Sequence, residues 1–364
     1  WSRGREAIKE ELDKYAKEYK AMFERQAPKA DQPKTMLPTD PKNIWMEGIG
    51  LIGLGANAKA ASIAGDLVVQ NARVRAIGED AGGFRPISEK DLFDCEYWSL
   101  EQAKLGKGAP PKFQGKIVMI TGGSGTIGFA IAKAFSKLGA QTILVDKDEI
   151  ALKESVAKLG VGHKYFPIDV THSDAANQAM LAAINNFGGL DILISNAGAA
   201  HAGPMLGISN EELRNAFELN FFSHYSFSTE AAKILKDQNR GGQILFNISK
   251  QAVNPGKNFG AYGLPKATTF FLMRQLALEL GSDGIRVNGI NADRIRSGLL
   301  TDDFISSRAK SRGVSESEYM AGNLLNKEVT AEHVADAFTA LACAESTTGH
   351  VMTVDGGNIE ASLR

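Results

Sequence analysis

The chain has 364 residues, 43% of them hydrophobic and 23% charged, enough for two or three domains with a sizeable core. Its 41 basic and 42 acidic residues leave a net charge of −1, which excludes a field-driven binder of nucleic acid or of an anionic membrane. Two cysteines exclude a disulfide framework and point to a cytoplasmic setting, and no apolar run reaches the roughly 18 residues of a spanning helix.

The first residue is Trp1, as in a processed or trimmed chain. Residues 5–25, rich in Glu, Lys and Ala, predict one amphipathic helix. The Pro-bearing stretch from Pro28 to Pro41 reads as a linker or surface loop. The run Gly48 to Gly55 predicts a short strand ending in a turn, residues 59–77 a helix, and residues 87–105 a second helical segment. Gly106-Lys-Gly-Ala-Pro-Pro111 marks a domain boundary, giving an N-terminal extension over 1–111 and a second domain over 112–364.

Beyond that boundary, short apolar runs alternate with helical stretches. Strands are predicted at Lys116–Ile120, Thr142–Val145, His163–Ile168, Ile192–Ser195, Gln243–Ile248 and Ile285–Ile290, with a last one near His350–Val354. Continuously apolar strands separated by helices imply an α/β fold: a doubly wound parallel sheet of Rossmann type, buried on both faces, behind a mainly helical extension.

The first strand runs into Thr121-Gly-Gly-Ser-Gly-Thr-Ile-Gly128, where Gly123, Gly125 and Gly128 satisfy G-x-G-x-x-G. Such a turn needs little side chain, because the backbone must approach a pyrophosphate and the helix must pack closely on the strand. The free N–H groups at the helix start then face the phosphates. Glycine-rich turns also serve ordinary tight bends; the strand before and the helix after favour the nucleotide reading. Asp146 ends the next strand, 18 residues after Gly128. A carboxylate there accepts from the ribose hydroxyls and repels a 2′-phosphate, which favours NAD, while Lys147 leaves room for NADP.

Tyr262 and Lys266 stand four residues apart, so on a helix they share a face. An ammonium near a phenol favours the phenolate, moving a group of ordinary pKa about 10 toward working pH. Pro265 between them is tolerable where it falls in the first turn of a helix starting near Gly260–Tyr262.

These residues together resemble the short-chain dehydrogenase/reductase family over about 113–364. The cofactor loop is similar to Thr121–Gly128, with Thr126 where the family usually has a glycine. The resemblance implies cofactor contacts from Gly122, Ser124, Gly125, Thr126, Ile127, Gly128, Asp146, Asp169 and Val170, from Asn196-Ala197-Gly198, and from Ile295 and Ser297. It implies catalytic roles for Asn220, Tyr262 and Lys266. The catalytic serine slot departs from the pattern, reading Asn247-Ile-Ser-Lys250. Counting back from Tyr262 selects Ser249; aligning on Asn247 favours Lys250, which would add a second positive charge beside the phenol. The family's Pro-Gly after the sixth strand is replaced by Ala292-Asp293. Both departures, and the segment from Trp45 to Leu105, look like bifunctional class II aldolase/short-chain dehydrogenases of the rhamnulose-phosphate aldolase/alcohol dehydrogenase type. None of the six histidines (163, 172, 201, 224, 333, 350) has the aldolase's His-x-His spacing, so no metal and no aldolase activity are expected.

The expectation is an NAD-dependent enzyme, with NADP as the second choice, that interconverts an alcohol and a carbonyl on a small polar metabolite. A homodimer or homotetramer is implied. A non-catalytic dinucleotide sensor is the rival, on the strength of the altered serine slot. The stretch Asp293–Asn326 is expected to cover the substrate, where a pair among Arg294, Arg296, Arg308 and Arg312 would clamp a carboxylate or phosphate. His201 is a weaker candidate near the site.

Overall fold

The computed structural model describes residues 2–102, 109–200 and 202–358. The chain divides into two compact units, Trp1–Pro111 and Lys112–Arg364. His201 and the Gly106–Gly108 part of the expected boundary lie outside the described residues.

In the first unit, α1 (Ser2–Gln26) is a single long helix. The glycine run forms a strand, but as half of a hairpin: β1 (Asn43–Met46) pairs antiparallel with β2 (Gly50–Gly53). Gly48 sits in its turn at φ +75°, a conformation open to glycine at little cost. Helix α2 (Ala58–Asp80) starts at Asn57, whose side chain accepts from the Ala60 N–H. The helical segment over 87–105 is broken in two, α3 (Glu89–Glu96) and α4 (Ser99–Gln102). The break leaves Tyr97 buried with Met22 and Phe93 in a small aromatic core that also takes in Phe23. Ser88 caps α3 by accepting from the Asp91 N–H.

In the second unit, strands and helices alternate as β3 (Ile117–Thr121), α5 (Thr126–Lys137), β4 (Gln141–Asp146), α6 (Glu149–Leu159), β5 (Lys164–Pro167), α7 (Ala175–Phe187) and β6 (Ile192–Ser195). There follow α8 (Asn210–Phe217), α9 (Ser223–Gln238), β7 (Gly242–Asn247), α10 (Gly260–Leu280) and β8 (Ile285–Ala292). The unit closes with α11 (Asp302–Arg312), α12 (Glu316–Met320), α13 (Ala331–Cys343) and β9 (Val351–Val354). Among the described residues, seven strands form one wholly parallel sheet in the order β5-β4-β3-β6-β7-β8-β9.

This is the doubly wound Rossmann-type sheet that the strand pattern predicts. Alternate side chains of one strand enter opposite cores. Ile117 and Met119 pack with Phe227, Leu235 and Met273 of α9 and α10, whereas Val118 and Ile120 pack with Ile131, Phe135 and Phe338 of α5 and α13. Both faces are covered, which is why these strands read as continuous apolar runs rather than alternating ones. The strand order reverses between β3 and β6, and in such sheets the crevice outside those carboxyl ends is where ligands bind.

Candidate active site

A cleft of about 960 Å³ opens at that switch point. Its floor is the glycine turn. Gly122 adopts φ +65°, and a Cβ there would meet the Ala197 Cα at 3.0 Å. A Cβ on Gly128 would strike the Gly122 carbonyl, so α5 can approach the strand end this closely only with glycine. Helix α5 begins at Thr126 with no side-chain cap at Gly125, which leaves its first N–H groups facing the cleft beside Thr126, Ile127 and Gly128. A cradle without side chains and an uncapped helix start fit the pyrophosphate of a dinucleotide.

Asp146, at the end of β4, lines the same cleft. Its Oδ2 accepts from the Ser124 N–H at 3.2 Å and the Ser124 hydroxyl at 2.7 Å. Ser124 therefore orients Asp146 rather than forming the wall itself. Asp169 and Val170 also line the cleft, after β5. Thr171 donates to Asp169 through both its N–H and its hydroxyl, at 2.9 and 2.7 Å, and these bonds hold the carboxyl below its ordinary pKa.

Asn196, Ala197 and Gly198 follow β6 along the wall. The Asn196 amide donates to the carbonyls of Thr121 and Gly122, and Asn247 donates to Asn196 Oδ1 at 2.8 Å. This chain of bonds ties the ends of β3, β6 and β7 together. Ile295 and Ser297 stand on the wall that follows β8.

Helix α10 carries Tyr262 and Lys266, 8% and 2% exposed, both on the cleft. The helix starts at Gly260, so Pro265 is its sixth residue and lies in the second turn, not the first. Pro265 thereby costs one helical hydrogen bond. Lys266 Nζ lies 5.8 Å from the Tyr262 ring centroid and donates to the Asn247 carbonyl at 3.0 Å. Burial pulls the Lys266 ammonium down to about 7 and pushes the Tyr262 phenol up to about 12. A hydrogen bond from Ser249 opposes the rise at Tyr262.

Ser249, not Lys250, is thus the neighbour of the phenol, contrary to the alignment on Asn247. Strand β7 ends at Asn247, so strand alternation does not extend to these residues. Ser249 caps a tight turn, Lys250–Ala252, which carries the next side chain away. Lys250 Nζ pairs with Asp293 Oδ1 at 2.8 Å, and Asp293 also receives the Asn358 amide at 2.6 Å. The two departures from the family pattern, Lys250 and Asp293, are one ion pair.

Asn220 is buried behind the cleft rather than on its wall. It sits in a π-helical turn, Glu218–Phe222, and its side chain is engaged by the backbone of Ala199 and Ala216. Its own carbonyl accepts from the Thr269 hydroxyl at 2.7 Å.

His224 was not foreseen. It is 1% exposed; its Nε2 stands 3.3 Å from Lys266 Nζ, and its Nδ1 stands 2.6 Å from the Ser195 hydroxyl. Burial, and then the lysine, push its pKa well below the ordinary range. A neutral ring accepts from Lys266, so two of the three ammonium protons are held by Asn247 and His224. The signal in the sequence is the spacing: His224 follows Asn220 by four residues.

Residues 123–358 match the family model described as Enoyl-(Acyl carrier protein) reductase, and residues 2–105 match that described as Aldolase class II, second domain. The chain is 32% identical to the uncharacterized oxidoreductase YuxG of Bacillus subtilis (strain 168), over 96% of this chain and 52% of YuxG; it thus spans about half of that relative. It is 30% identical to secoisolariciresinol dehydrogenase of Forsythia intermedia, over 68% of this chain and 90% of that protein. Among solved structures, L-sorbose reductase from Gluconobacter frateurii complexed with NADPH and L-sorbose is similar, with TM-score 0.63 and 27% identity over 68% of this chain and 98% of that one. So is 3-ketoacyl-(acyl-carrier-protein) reductase from Brucella melitensis complexed with NADH, with TM-score 0.60 and 25% identity over 67% and 98%.

Proposed function

The chain belongs to the short-chain dehydrogenase/reductase family of oxidoreductases, and from that premise we propose an NAD-dependent enzyme that interconverts an alcohol and an aldehyde or ketone on a small polar metabolite. The observation that carries this reading is the buried Tyr262, hydrogen-bonded by Ser249 and one helical turn from Lys266, at the wall of a cleft floored by the glycine cradle.

When bound, the nicotinamide supplies or accepts a hydride at its C4. The chain's residues do the remainder. Gly122, Gly125 and the start of α5 would hold the pyrophosphate, and Asp146 the adenosine ribose. Tyr262 passes its phenolic proton to the substrate oxygen in reduction and takes it back in oxidation. Ser249 steadies that oxygen and favours the phenolate. Lys266, fixed by Asn247 and His224, keeps its remaining proton for the cleft, where it would hold the nicotinamide ribose. Asn220 acts at one remove, shaping the turn that places His224.

NAD is favoured over NADP because Asp146 would repel a 2′-phosphate; Lys147, on the same wall, keeps NADPH-linked carbonyl reduction as a second reading. The sensor reading loses its support once Ser249 is the phenol's neighbour. The N-terminal unit is read as the end of an aldolase module with no metal role. Absorbance at 340 nm with lactaldehyde and a panel of sugar alcohols, first with NAD and then with NADP, tests the assignment. No turnover with either cofactor would overturn it.

A further inference from the structure

The far end of the cleft carries cations that the proposed chemistry does not use. Four arginines lie between Asp293 and Asn326, and the structure separates them into two pairs. Arg296 is spent on ion pairs with Asp302 at 2.6 Å and Glu328 at 2.8 Å. Arg294 faces Asp293 at 3.5 Å and donates to the carbonyls of Tyr319 and Gly322.

Arg308 and Arg312 differ. Among the described residues neither forms an ion pair with a carboxylate, and both line the cleft. Standing four residues apart on α11, they share one helix face, where like charges repel. Yet both guanidinium groups lie against aromatic rings. Arg308 lies 5.2 Å from the ring centroid of Phe259 and 5.3 Å from that of Phe304, and the two rings meet edge-on at 5.9 Å. Its Nη2 donates to the Lys257 carbonyl at 3.5 Å. Arg312 lies 5.3 Å from the Tyr319 centroid. Aromatic faces order a guanidinium without neutralising it, and its outward N–H groups stay available.

Phe259 ties this group to the chemistry, because its carbonyl accepts from the N–H of Tyr262. The acids of the cleft lie elsewhere. Asp146 and Asp169 flank the dinucleotide end, and Asp293 is engaged by Lys250 and Arg294. The substrate end is therefore left with positive charge that no acid of the cleft's own wall neutralises.

We infer that Arg308 and Arg312 form an anion subsite, and that the substrate carries a carboxylate or phosphate group remote from the carbon that exchanges hydride. The inference rests on the dehydrogenase reading for the word substrate, but the subsite is testable without turnover.

Two matched pairs separate the anion types: glyceraldehyde with its 3-phosphate, and butanal with 4-oxobutanoate. The subsite predicts a higher kcat/KM for one charged member than for its neutral partner, by roughly tenfold or more. In Arg308→Gln and Arg312→Gln that ratio falls roughly 10- to 100-fold, the scale of a lost charge-assisted hydrogen bond. Arg308→Lys, which keeps the charge but not the planar fork, recovers part of it. Equal kcat/KM within both pairs, or ratios untouched by the substitutions, would overturn the subsite while leaving the dehydrogenase intact.

Calorimetric titration of inorganic phosphate into the NADH-loaded protein gives the second readout. Binding that is abolished in the Arg308→Gln/Arg312→Gln double variant supports the subsite even if no aldehyde of the set is turned over. No binding, or binding that NADH displaces, contradicts it, since the phosphate would then be in the glycine cradle.

Discussion

Replacing Lys266 with methionine should change how stability depends on pH. Burial lowers the Lys266 ammonium from an ordinary value of 10.5 to about 7. At about 1.36 kcal/mol per pH unit, that gap costs the folded state about 5 kcal/mol wherever the lysine is charged in both states. The sign follows from proton counts. Below pH 7 folded and unfolded chains both hold the proton, and the full cost is present. Between pH 7 and 10.5 the unfolded chain holds a proton that the folded chain has lost, so stability rises with pH. Above 10.5 the cost has gone. Methionine removes this dependence but leaves the Asn247 carbonyl and the His224 ring without a donor, at about 1–3 kcal/mol each. Near pH 6 the variant should therefore be as stable as the wild type or slightly more so, and it should be inactive. For a domain of this size 1 kcal/mol moves Tm by about 2–4 °C, so from pH 7 to 9 the wild type should gain on the variant by about 3–5 °C per pH unit. Thermal scans across that range measure it. Parallel Tm profiles for the two proteins would refute a buried, strained ammonium at position 266.

The other positions make separate predictions. Ser249→Ala removes the bond that holds the Tyr262 phenol down, so the apparent pKa of alcohol oxidation should rise by about one unit and the pH–rate profile should shift to the alkaline side. Asp146→Ala should raise KM for NAD roughly tenfold or more while narrowing the preference against NADP, as read from kcat/KM for both cofactors. Asp293→Asn strands the Lys250 charge, and because that lysine keeps some solvent contact the loss should sit near the lower end of about 3–5 kcal/mol. Adding Lys250→Met should restore most of the loss in denaturant unfolding; a double variant as weak as the single one would mean the pair is not coupled.

The sheet was legible because its inner strands are buried on both faces, and double burial writes an unbroken apolar run such as Ile117–Thr121. The glycine turn was legible because side chains are forbidden where α5 meets Gly122. The hairpin partner Asn43–Met46 was not, since a half-exposed four-residue strand carries no periodic signal. The aromatic core that breaks the helical segment at Tyr97 depends on Met22 and Phe23, far away in the chain. In the site, Tyr262 and Lys266 could be paired by helical spacing. Choosing between Ser249 and Lys250 could not be done that way, because strand alternation stops at Asn247 and a turn intervenes. His224 escaped notice because its role lies in a contact with Lys266, 42 residues away in sequence.

The most direct test of proton transfer by Tyr262 is the Tyr262→Phe variant, assayed for NAD-linked turnover beside NADH binding by fluorescence. Removing one hydroxyl from a buried ring that keeps its place should leave NADH affinity within a few-fold of the wild type. Turnover should fall by roughly 100- to 10,000-fold, the range that general acid–base catalysis supplies. Full activity in Tyr262→Phe would contradict the account.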